Sequence, residues 1–523
     1  MKKFLAACVA CLSVHSALFA GGYNINTNQN AAYLRNPARD ADIAVDGTYS
    51  NPAGVAFLED GLHASFSWQF AKQERNITSS FAPFAYGIAN NGSTSKTFEG
   101  EAKAPFVPSL QAAYNWKDWS FQLNLAVVGG GGKCEFGQGL GSFESNVSLL
   151  PVLAGQLAPQ LGISGYGADM YMKGNSYYYG LTLGAARKLN ENLSVYVGVR
   201  GIYGSCSYRG YLKNIKVKTA DGVQLANEYF SNLASQATDG AAQCTAAAAQ
   251  YRAAGSEEQA AAYETQAETL QAQAATLTKM ERATQDIVLD CDQEGFGVAP
   301  IIGVDFKWNK LNLAAKYEFR TRIELENSSV NSEAANSLTS LAKYRDGMKV
   351  RDDMPALLTI GAQYEIIQDK LRAMAAYHLY FDKQAEHFGN TQDYLDGNTT
   401  EYLLGVEWDI CKFLQFSVGG VRTHFDQTDD YLNDVSFSLS SYNIGTGFGI
   451  KLTKDLKVNL SYFCSFYEDY TKTTDNYGNL GSMISSLAGE TAAQQMIESG
   501  KLSGSDKFER KNYSLGVSVV YKF

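Results

Sequence analysis

The last eleven residues of the chain alternate between two kinds of side chain. The apolar set is Tyr513, Leu515, Val517, Val519, Tyr521 and Phe523, the small or polar set is Ser514, Gly516, Ser518 and Lys522, and only Val520 departs from the pattern. Successive side chains of a β-strand point to opposite faces, so this period of two predicts a strand with one apolar and one polar face. Such a strand, ending on an aromatic residue, is suited to a position between lipid and water. Backbone groups in lipid must be paired internally, and strands achieve this only in a closed barrel.

The beginning of the chain predicts export. Residues 1–20 contain a basic start (Lys2, Lys3), an apolar stretch from Phe4 to Leu12 and small residues near Ala20, which together resemble a secretory signal peptide. We expect the mature chain to begin at Gly21 or Gly22. After residue 20 there is no uninterrupted apolar run of about 20 residues, the length that a membrane-spanning helix needs.

Composition agrees with a barrel and excludes one class of partner. The chain has 523 residues, 48 of them glycine, and 12% are aromatic, as expected where strands are only half apolar. The formal charge of −10 argues against nucleic acid, because binding to phosphates relies on excess Lys and Arg. No residue pattern calls for a cofactor or a metal ion.

The alternation recurs along the chain and predicts fourteen antiparallel strands joined alternately by short turns and long loops. The expected strands are 62–75, 106–116, 119–129, 175–188, 193–209, 296–308, 311–326, 351–366, 370–383, 400–410, 413–426, 436–452, 456–469 and 509–523. Trp116, Trp119, Trp308 and Trp408 lie beside short turns, which favours an aromatic girdle at the periplasmic membrane interface. Chance clustering at hairpin ends is the alternative.

The polar faces of these strands would line the lumen. Four basic residues on them are candidates for binding a carboxylate head group through charge-assisted hydrogen bonds. They are Arg200, Lys316, Arg320 and Arg372. The alternative is that they pair with lumenal acids such as Glu318 or Glu407.

The largest loop, 212–294, is rich in Ala, Gln and Glu at 242–250 and 257–287, which predicts two helices. Gly255 separates them, and Ser256 followed by Gln259 fits a capping box. We therefore expect a helical hairpin above the barrel mouth. Cys244 and Cys291 bracket part of this insertion and are candidates for a disulfide in an oxidising envelope; Cys134 with Cys206 is a weaker candidate.

Residues 21–61 precede the first strand and are small, polar and rich in turns. They could hang free in the periplasm or fold into the lumen as a plug. Their Gly, Ala and Asn content allows close packing against a barrel wall, which favours the plug. The barrel itself would then comprise 62–523.

Two motifs carry a resemblance to a known family. Asn51-Pro52-Ala53 lies before the first strand, and Gly129-Gly130-Gly131-Gly132 follows the third. With fourteen strands, these features resemble the FadL/TodX family of outer-membrane transporters for hydrophobic compounds, in which the N-terminal segment forms a hatch. A second Asn36-Pro37-Ala38 and the charged run Arg39 to Asp42 depart from the family pattern.

The resemblance implies a monomeric all-β protein in the outer membrane of a Gram-negative bacterium. It implies passive uptake of long-chain fatty acids or similar hydrophobic molecules, captured at extracellular loops and released sideways into lipid through an opening at the third strand. Gly129 to Gly132 would form the kink at that opening, although they could instead begin a mobile loop. Leu149, Leu150 and Leu153, in an apolar loop, would contribute to capture, or would cover neighbouring loops.

Two other functions remain open at this point, a general diffusion porin and a surface adhesin. A porin would need an open aqueous lumen and no plug. An enzyme is not expected. His424 has Thr423 and Asp426 close in sequence, but neighbouring residues of a strand alternate faces and cannot form a relay through sequence proximity alone.

Overall fold

The structure is a computed structural model that describes residues 24–157 and 159–523. The predicted signal peptide lies outside the described residues. Fourteen strands of the described chain form the barrel wall, three of them in two parts. They are β1 Gly61–Phe81, β2 Ser95–Trp116, β3 Trp119–Phe136, β4 Gly165–Lys188, β5 Leu193–Thr219, β6 Ile287–Trp308, β7 Leu311–Glu318 with Glu324–Ser329, β8 Lys349–Arg351 with Leu357–Ile367, β9 Leu371–Tyr380, β10 Thr400–Cys411, β11 Leu414–His424, β12 Ser441–Lys451, β13 Leu456–Tyr467 with Tyr470–Thr474, and β14 Gly504–Lys522.

Helices lie before the barrel and in its long loops. The α-helices are α1 Ala31–Arg35, α2 Gly47–Ser50, α3 Gly141–Ser148, α4 Leu150–Leu157, α5 Ala226–Ala253, α6 Glu257–Ala283, α7 Glu333–Ser337, α8 Leu480–Ala488 and α9 Glu490–Glu498. Short 3₁₀ segments are Gly54–Phe57, Ala82–Tyr86, Pro159–Leu161, Thr339–Tyr344, Asp382–Gln384, Phe388–Tyr394 and Tyr477–Asn479. Among the described residues, no helix is both long and apolar enough to cross a membrane.

Each barrel strand is antiparallel to its neighbours, and β14 pairs with β1 from His63↔Lys522 to Phe81↔Gly504. The sheet therefore closes on itself, which confirms the predicted fourteen-stranded barrel. Several strands extend past their expected ends at the long-loop rim, where β5 continues to Thr219 and β6 begins at Ile287. These extensions were missed because the pattern is inverted there: the outward side chains are polar, and apolar ones such as Leu212, Val217 and Leu289 are buried.

The barrel is apolar on the outside and polar on the inside. On β10, Leu404 is 68% exposed whereas Glu407 is 2% exposed. On β14, Leu515 and Tyr521 are exposed, and Ser514 and Ser518 are buried. The four tryptophans beside short turns are all exposed on the outer surface. The face assignment made from the sequence is therefore confirmed, and the outer surface is of the kind that a lipid-embedded barrel requires.

Helices α5 and α6 form the predicted hairpin and pack through small side chains. Their buried contacts are mainly alanines, including Ala237, Ala241 and Ala267. Two details differ from the prediction. Helix α5 begins at Ala226 rather than near residue 242, and the Ser256 side chain makes no capping hydrogen bond. The early start reflects tertiary packing, because Phe230 at the base of α5 is fully buried in an apolar cluster with Leu212 and Met280.

The predicted disulfides are wrong, because all cysteines of the described chain are free thiols. Cys244 lies 18 residues into α5, a rise of about 27 Å at 1.5 Å per residue. Cys291 lies near the start of β6, in the barrel wall. A disulfide needs Cα atoms within roughly 7 Å, and the projecting hairpin separates this pair. Cys134 and Cys206 are likewise buried, unbridged thiols.

Candidate ligand passage

The N-terminal segment fills the lumen, as the plug prediction required. From Asn24 to Ala56 most residues are buried against the inner wall, and Ala31, Leu34 and Arg35 have no exposure. Helix α1 contacts β12, β13 and β14. Its N-terminus is capped by Asn30, whose side chain accepts from the Ala32 N–H at 2.8 Å and also donates to Gln111 on β2 at 2.7 Å. We call this segment, residues 24–60, the hatch.

A buried ion network fastens the hatch to the wall near the short-turn rim. Glu407 on β10 lies 3.2 Å from an Arg35 nitrogen and 2.9 Å from an Arg39 nitrogen. Arg39 also contacts Asp46 at 2.6 Å, and Arg372 on β9 reaches Glu407 at 3.3 Å. The positive hatch side chains and the wall carboxylate therefore neutralise each other where water is scarce.

The Asn51-Pro52-Ala53 motif contacts three strands through hydrogen bonds. Asn51 Nδ2 donates to Asp305 Oδ2 at 2.6 Å, while Asn51 Oδ1 accepts from the Gly54 N–H at 3.1 Å. The carbonyl of Pro52 accepts from Gln122 at 2.7 Å, and that of Ala53 accepts from Ser194 at 2.7 Å. The motif thus supplies the polar groups that hold the turn against β3, β5 and β6.

The second Asn-Pro-Ala, which departed from the family pattern, is also held against the wall. A side chain at Gly405 on β10 would place its Cβ 1.9 Å from Asn36 Oδ1, so only glycine permits this close approach. Asn36 Oδ1 also accepts from the Ala38 N–H at 3.2 Å.

The wall between β2 and β3 contains a stretch without strand pairing. The two strands pair from Trp116↔Trp119 to Leu110↔Leu125, and again only at Glu101↔Glu135 and Gly100↔Phe136. Between these points, residues 102–109 of β2 face residues 126–134 of β3 with no ladder. This is an interruption in a barrel wall that otherwise needs its backbone groups paired.

Local sequence explains the interruption. Pro105 and Pro108 lie in the unpaired part of β2 and have no N–H to donate. On β3, the register with β4 shifts between Val127 and Gly132. Gly130 has φ 98°, a left-handed conformation that favours glycine. The glycine run therefore lies inside β3, with irregular register, and does not begin a loop; its role as a kink at an opening stays a prediction.

Other groups satisfy the carbonyls freed at this interruption. From the lumen, Asn26 of the hatch donates through its N–H to Val128 O at 2.8 Å and through Nδ2 to Val127 O at 2.8 Å. From the outside, Trp68 Nε1 donates to Pro105 O at 3.0 Å. Small apolar side chains, Ala104, Val107 and Val127, pack together in the same stretch. The wall is thus closed here by side chains and by the tip of the hatch.

A cavity of about 350 Å³ borders this stretch on its β3 side, at Gly130 to Gly132 and Cys134. Its lining includes Asn24 to Asn26 of the hatch, Gly130 to Gly132, and residues of the long loops such as Phe388 and Phe437. The surface mixes aromatic rings with polar groups. One cavity therefore joins the loop side of the barrel, the hatch tip and the unpaired wall.

The four basic residues proposed for head-group binding lie elsewhere and have acidic neighbours. Arg200 contacts Glu318 at 2.5 Å, and Lys316 contacts the same carboxylate at 2.7 Å. Lys316 also donates to Tyr49 O of the hatch at 2.7 Å. Arg320 lies 3.5 Å from Asp353, and Arg372 lies 2.9 Å from Asp409. All four therefore contact acids, as the alternative to head-group binding expected. A role of these residues in ligand binding stays a prediction.

The three leucines proposed for capture are packed inside loop clusters. Leu149 and Leu153 join a cluster with Phe84 and Ile484, whereas Leu150 joins the cluster at the base of α5. Among the described residues that line the cavity, none of the three is present. The three leucines thus pack against neighbouring loops, which was the alternative to capture. A role in ligand binding stays a prediction.

Sequence reasoning missed Asn26, Pro105 and Pro108. A signal for the prolines was available, because proline inside a run that otherwise alternates like a strand marks an edge or an interruption. Asn26 had no such signal, since its role depends on a contact with residues about a hundred positions away.

A buried carboxyl in the loop between β11 and β12 gives a pH prediction. Asp434 Oδ2 accepts from the Ser142 N–H of α3 at 2.8 Å. Burial, with a smaller contribution from the charge of Asp506, raises the pKa of Asp434 to about 6. The folded loop therefore binds this proton more tightly than the unfolded chain does, so the stabilisation is present below the ordinary pKa and is lost as the pH rises through about 6.

We expect α3 amides to show higher hydrogen-exchange protection factors at about pH 4 than at about pH 7, after correction for intrinsic exchange. The variant Asp434→Asn, which cannot ionise, should lose this difference. Equal pH dependence in both proteins would show that Asp434 is not the responsible group.

The fold has solved counterparts. No protein-family model matches the sequence, and no curated protein sequence matches it. A FadL homologue from Pseudomonas aeruginosa superimposes with TM-score 0.58 at 12% identity, covering 96% of this chain and 100% of that chain. The toluene transporter TodX from P. putida gives TM-score 0.51 at 12% identity, covering 92% and 94%. This chain therefore has the fold of the P. aeruginosa FadL homologue and of TodX.

Proposed function

We propose that the protein is a passive channel for hydrophobic small molecules in the outer membrane of a Gram-negative bacterium, with sideways release into lipid between β2 and β3. The observation that carries this proposal is the unpaired wall stretch, which lies against both the cavity and the hatch tip. Similarity of fold to a protein named as a toluene transporter supports the same class of cargo. Long-chain fatty acids are the cargo that we favour within that class.

The chemistry of the path supports lateral release. A hydrophobic molecule that enters from the long-loop rim meets aromatic side chains such as Phe388 and Phe437 in the cavity. Ahead of it toward the short-turn rim lies the hatch with its buried charges. Sideways, the barrier consists of small apolar side chains and three hydrogen bonds to carbonyls. The lateral barrier involves less desolvation of charge, so it is the easier exit.

The filled lumen argues against a general diffusion porin. The hatch residues Leu34, Arg35 and Asn36 are fully buried against the wall, whereas a porin keeps a water-filled channel. The projecting hairpin is the one observation in favour of an adhesin.

Deleting the hairpin separates these functions. Replacing residues 226–283 with a short Gly-Ser turn should leave uptake of a hydrophobic fluorescent dye by outer-membrane vesicles within about threefold of wild type, because the cavity lies in the barrel rather than in the hairpin. The control is the same vesicles without the protein. The channel would be contradicted if vesicles with and without the wild-type protein took up dye at the same rate. Loss of cell or matrix adhesion on deletion of the hairpin would then favour the adhesin.

A further inference from the structure

Two arginines of the cavity wall lie directly opposite each other on neighbouring strands. Arg75 on β1 and Arg510 on β14 are register partners, and both line the cavity. Side chains of register partners share a face, with Cβ atoms about 4.5–5.5 Å apart. Two like charges placed this way repel each other, so the arrangement costs stability unless an anion lies between them.

The described chain supplies no such anion. Within residues 24–157 and 159–523, neither guanidinium has a carboxylate oxygen within 4.0 Å. Arg75 Nε donates to the neutral Gln73 Oε1 at 2.6 Å. Arg510 Nε is buried without a hydrogen-bond partner in that part of the chain. The other lumenal arginines considered above, Arg35, Arg39 and Arg200, all contact acids.

Aromatic rings hold the two guanidinium groups in place. Arg510 lies with its Cζ 4.7 Å from the centroid of Tyr467, and Arg75 lies with its Cζ 5.7 Å from that of Phe437. Cation–π contact of this kind fixes a guanidinium while leaving its N–H groups free to donate. The pair is therefore preorganised to bind a planar anion such as a carboxylate.

The charge balance of the cavity points the same way. Its lining includes Lys343 and Arg351 besides the arginine pair, and Asp352 as its single carboxylate among the described residues. That carboxylate accepts from Tyr178 and from Asn24 and lies 2.8 Å from His387 Nδ1. It is thus already engaged by other groups and does not neutralise the arginine pair.

The pair is close to the unpaired wall. A Cβ on Gly131 would lie 3.8 Å from Arg75 Nη2, with no other heavy atom within 4 Å. An anion held by Arg75 would therefore place its attached apolar chain beside the glycine run and near the exit between β2 and β3.

We propose that Arg75 and Arg510 form an anion-binding site that makes the channel prefer amphipathic acids, with an apolar body and a carboxylate head, over neutral molecules of the same shape. This inference rests on the proposed channel function and specifies its cargo. It differs from the sequence expectation, which placed head-group binding on Arg200, Lys316, Arg320 or Arg372.

The test compares oleate with oleyl alcohol, which share one chain and differ in charge. Binding to the purified full-length protein in nanodiscs is measured by displacement of a fluorescent hydrophobic probe. Wild type should bind oleate roughly tenfold to a hundredfold more tightly than the alcohol, as expected for two charge-assisted hydrogen bonds. The double variant Arg75→Gln with Arg510→Gln should lose this preference while its affinity for the alcohol changes less than about threefold.

Two further variants keep the result interpretable. Arg75→Lys with Arg510→Lys should retain part of the preference because the charge remains, although the bidentate geometry is lost. Arg252→Gln removes one positive charge on the distant hairpin and should behave as wild type. Equal binding of acid and alcohol by wild type, or an unchanged preference in the Gln double variant, would overturn this inference alone. Absence of binding of either molecule to wild type would overturn the channel function as well.

Discussion

Replacing Glu407 with alanine is expected to open the lumen to ions. This carboxylate is the only acid within ion-pair distance of Arg35 among the described residues, and it also neutralises Arg39 and Arg372. Removing one partner of a buried ion pair costs about 3–5 kcal/mol, because the remaining charge is left without compensation. The barrel wall has its own hydrogen-bond ladder, so we expect the loss to fall on the hatch, which should detach near the short-turn rim.

The measurement is single-channel conductance in planar bilayers. Wild type should conduct weakly, and Glu407→Ala should show larger and more frequent open events. Glu407→Gln, which retains shape and hydrogen-bonding capacity, should be intermediate. The matched control is Glu99→Ala, an exposed acid on β2, which should leave conductance unchanged. Wild-type conductance in folded Glu407→Ala protein would show that this network does not hold the hatch.

Replacing Gly131 with tryptophan is expected to reduce uptake of hydrophobic molecules by roughly tenfold or more, because Gly131 lines the cavity and the indole would fill part of it beside the glycine run. Gly131 is suited to this test. It is exposed, its backbone is not left-handed, and a Cβ there meets only Arg75 Nη2 at 3.8 Å. The large side chain should therefore be accommodated without forcing the strand.

The matched control is Gly137→Trp, just past the end of β3, where an added Cβ meets no heavy atom within 4 Å. It adds the same ring outside the cavity lining and should leave uptake near the wild-type rate. Dye uptake by outer-membrane vesicles, with heat-modifiable gel migration as the check of folding, measures both variants. Undiminished uptake by folded Gly131→Trp would exclude the glycine run as part of the path.

The wall of the barrel was predictable because lipid imposes a pattern on each strand separately. Leu404 outside and Glu407 inside follow from a period of two, whatever the neighbouring strands contain. The exposed ends of the strands were not predictable in this way. Residues 95–101 of β2 and 165–172 of β4 lie at the long-loop rim, where apolar side chains such as Phe98 and Met172 are buried and the outward ones are polar, the reverse of the pattern in the lipid-facing wall.

The candidate site was predictable only in part, because some of its features are local in sequence and others depend on contacts between distant residues. Gly129 to Gly132 could be identified because a run of glycines permits backbone conformations that other residues rarely adopt, which is a property of the local sequence alone. Arg75 and Arg510 were overlooked because they are 435 positions apart in sequence and become partners only when the barrel closes. The contact between Lys316 and Glu318 could be anticipated, because the two residues are two positions apart on the same face of β7, and Arg200 reaches the same carboxylate from β5 across one intervening strand.

The most direct test of lateral release is photolabelling with a diazirine-bearing long-chain alcohol during uptake, followed by mass-spectrometric mapping of the labelled residues. A neutral probe makes this test independent of the arginine site. Lateral release predicts labels on residues 102–109 and 126–134, the two sides of the unpaired wall. Labels concentrated instead on hatch and wall residues at the short-turn rim, such as Ile43, Val45 and Lys457, would mean that the cargo leaves past the hatch and that lateral release does not occur.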